Sequence, residues 1–175
     1  MSKTIVIAGA GHAAGQVVAS LRQHDFDGRI VLVGDEPYLP YQRPPLSKKF
    51  LAGDMPAERL YFKPESFYED VELHLDTRIA AIERDARCVV SDTGESIAYD
   101  TLVLALGSRV RRLPVEGADL PGAHYLRSIA DVEGIRADLD KGKSLVVIGA
   151  GYIGLEVAAV AQQAGLDVTV LETED

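Results

Sequence analysis

Short apolar runs and amphipathic stretches alternate at the start of the chain. Thr4–Ala8 and Arg29–Val33 are runs rich in β-branched residues, and they flank His12–Gln23, where small residues come first and apolar spacing follows. Continuous apolar runs of about five residues are typical of parallel strands covered on both faces. The order strand, helix, strand therefore predicts a βαβ unit.

The same order returns near the end of the chain. Ser144–Ile148 predicts a buried strand, Tyr152–Ala164 its helix and Asp167–Leu171 the next strand. The pattern therefore predicts an α/β protein with two Rossmann-like units. A doubly wound sheet needs more strands than the second unit contains, so we expect the 175 residues to be part of a longer protein.

The middle of the chain predicts shorter elements. Short helical turns are expected at Leu46–Leu51 and Glu65–Glu69. Leu73–Tyr99 is predicted to be rich in strands, with a turn at Asp92–Glu95. A further apolar strand is expected at Thr101–Leu106 and a helix at Ile129–Leu139. Arg109–Pro121 is rich in proline and glycine and predicts a linker. We place the domain boundary there, with residues 1–110 in one domain and 111–175 in the next.

Composition narrows the function. The net charge of −9 argues against general affinity for nucleic acid, which requires a basic face. No apolar run approaches the ~20 residues of a membrane helix. A single cysteine excludes an internal disulfide framework, so the cytoplasm is the expected compartment.

The first strand–helix turn carries a dinucleotide fingerprint. Gly9, Gly11 and Ala14 match G-x-G-x-x-G/A, where the first glycine permits the tight turn and the second lets backbone approach a pyrophosphate. The helix N-terminus then offers N–H groups to that phosphate. Asp35 or Glu36, at the end of the second strand, would bind the adenosine ribose. The alternative is a glycine-rich turn without a ligand.

The second unit repeats the fingerprint as Gly149, Gly151 and Gly154, and Glu172 ends its next strand as a ribose-binding acid. An enzyme that uses NADPH usually has an arginine for the 2′-phosphate, whereas here acidic residues follow. The sequence therefore predicts NADH. Two complete fingerprints in one chain make the alternative without a ligand much less favourable.

The string Pro40-Tyr41-Gln42-Arg43-Pro44-Pro45-Leu46-Ser47-Lys48 resembles a segment of FAD-dependent NADH:ferredoxin reductases of bacterial oxygenase systems, the putidaredoxin, rubredoxin and dioxygenase ferredoxin reductase family. The stretches Leu102–Ser108, Tyr125–Arg127 and Val147–Glu156 also fit, so that the resemblance covers essentially the whole chain. Leu106 departs from the threonine that is frequent in the family.

The resemblance implies a glutathione-reductase-like FAD/NAD fold, with FAD in residues 1–110 and NAD in residues 111–175. It implies that electrons pass from NADH through FAD to a ferredoxin or a rubredoxin-like acceptor, serving an oxygenase or a P450. It also adds candidate cofactor-binding residues to those of the fingerprints: Ala13, Arg43, Ile79, Ala105, Gly107, Arg127 and Ile153.

Three side chains are candidates for the chemistry itself. The resemblance places Lys48 beside the isoalloxazine and pairs it with Glu156 across the two domains, while Tyr152 covers the nicotinamide pocket. A cation near the flavin would favour its reduced form. The alternatives are a solvated lysine at Lys48, a helix-start preference for acid in the first turn at Glu156, and a packing role for Tyr152.

In disulfide reductases of the superfamily that this chain resembles, a cysteine pair lies on the helix after the FAD ribose acid. The matching residues 41–51 contain no cysteine, so the resemblance implies no disulfide chemistry, and we expect Cys88 to be a small buried hydrophobe. The four histidines show no metal spacing. Rival functions remain: a nitrite reductase component, a monodehydroascorbate reductase, or an FAD/NAD-binding protein that signals by its redox state.

Overall fold

The computed structural model of the protein describes residues 2–139 and 144–173. The strands are β1 (Thr4–Ala8), β2 (Arg29–Val33), β3 (Glu72–His74), β4 (Ile79–Glu83), β5 (Cys88–Ser91), β6 (Ser96–Ala98), β7 (Thr101–Leu104), β8 (Ser144–Ile148) and β9 (Asp167–Leu171). The α-helices are α1 (His12–Gln23), α2 (Ile129–Leu139) and α3 (Tyr152–Gln163), and short 3₁₀ helices cover Pro44–Ser47, Ala57–Leu60 and Glu65–Tyr68. None of these helices is long and apolar enough to cross a membrane.

The chain divides into two compact units. The first contains Met1–Gln42 and Tyr61–Ser108, and the second contains Arg43–Leu60 and Arg109–Asp175. The segment Arg43–Leu60 therefore belongs with the later part of the chain, although it lies in the first predicted domain. The predicted division of function between residues 1–110 and 111–175 stays a prediction.

The first unit is built on a parallel sheet in the order β3-β2-β1-β7. Successive residues of a strand point to opposite faces, and both faces of this sheet are covered. One face packs against the antiparallel sheet β4-β5-β6 through Val6, Val31, Val33, Val89 and Ile97. The other face packs against α1 in a cluster that includes Ile7, Ala14, Val18, Ile30 and Leu32. This explains the unbroken apolar runs in β1 and β2.

The second unit repeats the strand–helix–strand arrangement in β8, α3 and β9. The two strands pair in parallel, with Ser144 opposite Asp167 and Ile148 opposite Leu171. Val147 is buried, as are Ala158 and Ala161 of α3, whereas Val146 and Ile148 are 57% and 61% exposed. One face of β8 is therefore covered and the other is open.

Most predicted elements are confirmed, and the differences lie at their ends. The strand predicted as Thr101–Leu106 ends at Leu104. The backbone N–H of Ala105 makes a last hydrogen bond to the Ala8 carbonyl, and the chain then turns away. The helix predicted as Tyr152–Ala164 ends one residue earlier, at Gln163. The turn predicted at Leu46–Leu51 begins at Pro44, because a proline at the start of a helical turn needs no hydrogen bond for its missing N–H.

Two tyrosines in the first unit predict opposite responses to loss of a hydroxyl. Both are 2% exposed, but Tyr41 donates to the Glu36 carboxylate at 2.5 Å, whereas the Tyr68 hydroxyl has no hydrogen-bond partner among the described residues. Burial also raises the pKa of Tyr68 to about 12, so the hydroxyl stays neutral.

We expect Tyr68→Phe to raise the free energy of unfolding by up to about 1 kcal/mol, because it removes a buried polar atom that has lost its water. Tyr41→Phe should lower it by roughly 1.5 kcal/mol, because it removes a hydrogen bond to a carboxylate. Urea unfolding at pH 7 measures both. Equal losses in the two variants would show that the Tyr68 hydroxyl has a partner after all.

Candidate functional site

Gly9 and Gly149 make the turn that leads from strand to helix in each unit. Their φ angles are +108° and +104°, a left-handed conformation that favours glycine. A Cβ at Gly9 would also overlap the backbone carbonyl of Ala105. The first fingerprint glycine is therefore required by the fold itself, whether or not a ligand binds.

Gly11 and Gly151 have a different explanation. Their φ angles of −87° and −67° are open to any residue, and a Cβ added at either position would meet no atom within 4 Å. Neither the backbone nor the packing of the described residues requires glycine there. Each glycine precedes the first turn of a helix, where unpaired N–H groups and the helix dipole favour an anion. The open space therefore fits close approach of a dinucleotide phosphate, as the fingerprints predict.

The third fingerprint position controls how closely the helix packs. A Cβ at Gly154 would overlap the carbonyl of Gly149, so α3 lies too close to the loop for any side chain. In the first unit, Ala14 occupies the matching place and is fully buried. Gly15 follows it, and a Cβ there would lie 2.9 Å from Cβ of Pro40. Both units thus bring a small residue to the helix–strand contact.

The acidic residues at the ends of β2 and β9 are not at matching positions. The N–H of Gly9 donates to the Val33 carbonyl at 2.7 Å, and that of Gly149 donates to the Leu171 carbonyl at 2.8 Å. Glu172 therefore matches Gly34, and the first unit carries its acid one residue later, at Asp35. In this loop geometry a Cβ at Gly34 would overlap the methyl group of Ala10, whereas the second unit accommodates Glu172 beside the matching Ala150.

The carboxylates at these ends have distinct surroundings. Glu172 Oε2 accepts the N–H of Ala150 at 2.7 Å, so this acid touches the fingerprint loop of its own unit. Asp35 is exposed. Glu36 accepts a hydrogen bond from the hydroxyl of Tyr41, a residue outside the fingerprint loop. β2 ends at Val33, so neither predicted acid ends the strand; of the two, Asp35 is the better candidate for a ribose contact.

Lys48 and Glu156 form an ion pair in the second unit. Lys48 Nζ lies 2.8 Å from Glu156 Oε2, and the two side chains are 50% and 29% exposed. The Ser47 hydroxyl donates to the same oxygen at 2.5 Å. Hydrogen bonds from Lys48, first, and Ser47 hold the pKa of Glu156 below its usual range. The predicted contact is confirmed.

Two details of that prediction are corrected. Both partners belong to the same compact unit, because Arg43–Leu60 groups with the later part of the chain. Glu156 lies in the second turn of α3, since the helix begins at Tyr152 and has no acidic residue in its first turn. A preference for acid at a helix start therefore does not explain Glu156.

A shallow groove of ≈ 310 Å³ adjoins this pair in the second unit. Its lining includes Arg43, Arg127 and Ile153 together with Lys48 and Glu156. Arg43 Nη1 donates to the backbone carbonyl of Arg127 at 2.6 Å, which fixes the guanidinium at the rim. Five of the residues that the sequence singled out are thus brought together on one surface.

The remaining candidates are not among the residues that line that groove. Tyr152, in the first turn of α3, is 90% exposed. In the first unit, Ala13 is exposed on α1, Ile79 begins β4, and Ala105 and Gly107 follow β7. The cofactor-binding roles of these residues stay predictions.

Sequence reasoning did not assign a role to Ser47 or Tyr41. Both are in the string that carried the family resemblance, but their partners, Glu156 and Glu36, are visible only in the structure. Cys88 is partly exposed rather than buried, because it begins the short strand β5. In residues 2–139 and 144–173 no three histidine, cysteine or acidic side chains are grouped as a metal site would require.

A family model described as pyridine nucleotide-disulphide oxidoreductase matches residues 3–175. The chain belongs to this family. Members use FAD and NAD(H), so the predicted cofactors are confirmed, as is the predicted α/β fold. The open space at Gly11 and Gly151 fits both dinucleotides.

The chain is similar to named reductases over nearly its whole length. It is 49% identical to rhodocoxin reductase of Rhodococcus erythropolis, covering 98% of this chain and 41% of the relative. It is 44% identical to rubredoxin-NAD(+) reductase of Pseudomonas putida, covering 96% and 44%. The solved ferredoxin reductase for the CYP199A2 system from Rhodopseudomonas palustris superposes with a TM-score of 0.91 at 47% identity, covering 97% and 42%. The predicted resemblance is confirmed, and the chain spans less than half the length of these relatives.

Substitution of the fingerprint glycines by alanine should separate ligand binding from folding. We expect Gly11→Ala and Gly151→Ala to fold with unchanged or slightly raised stability, by about 0.5 kcal/mol, because alanine restricts the unfolded chain and meets no native atom. We expect the first to weaken FAD binding and the second to weaken NADH binding, because a methyl group fills the space for the phosphate.

Gly154→Ala is the matched control, since its methyl would overlap the Gly149 carbonyl and should destabilise the fold. Thermal unfolding and titration of the whole protein with each dinucleotide measure the two effects. Unchanged affinities in Gly11→Ala and Gly151→Ala would contradict the assignment of phosphate to these openings.

Proposed function

We propose that the whole protein is a cytoplasmic NADH-dependent reductase of a ferredoxin or rubredoxin-like electron carrier that serves an oxygenase or a P450. The observation that carries the proposal is the pair of openings at Gly11 and Gly151, each at the start of a helix where the fold itself does not need glycine. The similarity to rhodocoxin, rubredoxin and ferredoxin reductases supports the kind of acceptor. The lone cysteine supports a flavin that passes electrons outward rather than to a disulfide.

Each unit has a separate binding task in this proposal. The first unit holds FAD through the backbone at Gly9–Ala14, with Asp35 as the ribose acid. The second unit holds NADH through Gly149–Gly154, with Glu172 as the ribose acid. The chemistry that bound FAD would supply is conversion of the hydride of NADH into the single electrons that an iron–sulfur carrier accepts.

Glu172 supports the preference for NADH over NADPH. Its carboxylate is directed at the fingerprint loop through the N–H of Ala150, and its Oε1 accepts the N–H of Thr173 at 2.6 Å. A 2′-phosphate at this place would meet a fixed negative charge, and each ~1.4 kcal/mol of repulsion lowers affinity tenfold. Glu174 and Asp175, which extend the acidic stretch, lie outside the described residues.

Lys48 and Glu156 are proposed as the groups that support hydride transfer. The ammonium of Lys48 is a cation that would favour reduced cofactor, and Glu156 keeps that charge in place through a 2.8 Å ion pair. Lys48 Nζ also lies 3.3 Å from the backbone carbonyl of Pro44. The prolines at the start of the 3₁₀ helix restrict the backbone that carries the lysine.

The function is tested by reduction of an added carrier by the whole protein. We expect bound, non-covalent FAD, rapid reduction of a ferredoxin or rubredoxin by NADH, and an efficiency at least about tenfold lower with NADPH. Slow carrier reduction with a long-lived charge-transfer complex would instead favour the redox-signalling function. A whole protein that cannot be reconstituted with FAD would contradict the proposal.

Replacement of Lys48 tests its part separately. Lys48→Met should lower the flavin potential and slow flavin reduction by NADH about ten- to a thousandfold, the scale for loss of one electrostatic contributor. Glu156→Gln should change the potential less, because the lysine charge remains. Lys49→Met is the matched control, since this neighbouring lysine has no ion pair with Glu156. Stopped-flow reduction measures the rates, and a wild-type rate in Lys48→Met would mean that Lys48 is a surface lysine only.

A further inference from the structure

Ser47 is buried, although serine is usually found at the surface. Apart from the buried tyrosines, the buried polar side chains among the described residues are Ser47 and Ser91, at 4% and 3% exposure. Ser91 is accounted for by its own hairpin, where its hydroxyl contacts the Thr93 hydroxyl at 2.8 Å and accepts the N–H of Glu95. The hydroxyl of Ser47 instead reaches Glu156, 109 positions along the chain.

Ser47 and Lys48 are consecutive residues whose side chains meet the same carboxylate oxygen. Ser47 Oγ lies 2.5 Å from Glu156 Oε2, and Lys48 Nζ lies 2.8 Å from it. The lysine reaches that oxygen with a long side chain that is half exposed, and exposed ion pairs fix geometry weakly. The serine reaches it with a short side chain held in a buried turn. Of the two donors, Ser47 is therefore the one that can fix how the carboxylate is turned.

We propose that Ser47 is a positioning residue that holds the Glu156 carboxylate in a single orientation, so that Lys48 has a fixed partner. The role of Ser47 in hydride transfer rests on the proposed function, whereas its contact with Glu156 does not. It assigns a task to the serine of the P-P-L-S-K string, beside the lysine that carries the charge.

The neighbouring charges do not replace this contact. Lys49 and Asp54 line the surface next to Glu156 on one side, and Arg43 and Arg127 line the groove on the other. The Arg43 guanidinium donates to the Arg127 carbonyl rather than to Glu156. The two donors to Glu156 among the described residues are therefore Lys48 and Ser47.

The hydrogen bonds predict a pH-dependent contribution to stability. Lys48 and Ser47 favour the charged carboxylate, so the pKa of Glu156 is lower in the folded protein than in the unfolded chain. Such a group stabilises the fold above its unfolded pKa, and that contribution is lost as the pH falls through its folded pKa. Loss of the Ser47 hydroxyl should therefore cost more at pH 7 than in acid.

A double-mutant cycle tests the contact without any cofactor. Ser47→Ala, Glu156→Ala and the double variant of the whole protein are unfolded with urea at pH 7 and below pH 4. At pH 7 we expect the stability loss of the double variant to differ from the sum of the two single losses by about fivefold in the unfolding equilibrium constant. This difference should shrink in acid. Ser91→Ala is the matched control, because its neutral partners predict a loss that does not change with pH. Additive losses at pH 7 would overturn the proposal.

Flavin reduction by NADH tests the role. The flavin of Ser47→Ala should be reduced about tenfold more slowly at pH 7. The acidic limb of its pH profile should move to higher pH, because the pKa of Glu156 rises. Ser91→Ala should keep the wild-type profile. An unchanged profile in Ser47→Ala would overturn the positioning role. If NADH reduces the flavin of neither the wild type nor any variant, the proposed function is wrong. The unfolding cycle still tests the contact between Ser47 and Glu156.

Discussion

In both units the chain reverses at a glycine whose N–H donates to the last carbonyl of the neighbouring strand. Gly9 binds Val33 in this way and Gly149 binds Leu171. The left-handed turn at this glycine lets a helix start four residues after the last residue of a strand, so that the helix N-terminus lies at the sheet edge. The openings at Gly11 and Gly151, and the positions of the acids opposite them, depend on that one hydrogen-bonded turn.

The two units reach the same arrangement with different residues. The second uses glycine at the tight helix contact and places its acid directly after β9. The first uses Ala14 there and has Gly34 where the second has Glu172. The requirement for glycine at position 154 is steric, whereas the acid differs in position although the matching loop residues, Ala10 and Ala150, are the same.

Local spacing was enough to predict β1, α1, β2 and the matching elements of the second unit, because periodic burial is written in consecutive residues. It was also enough for the fingerprint glycines. It could not reveal that Ser47 meets Glu156, because that contact joins residues far apart in the chain. The start of α3 at Tyr152 was predicted correctly, and counting from it places Glu156 just beyond the first turn, whereas the prediction placed it within that turn.

The overlap between a side chain at position 34 and the methyl group of Ala10 has a consequence for redesign of the first unit. Ala150 and Glu172 occupy the matching positions in the second unit and coexist there, so the same side chains fit when the backbone of the loop lies slightly differently. Moving the acid of the first unit to position 34 would therefore require a shift of this loop and not only an exchange of side chains.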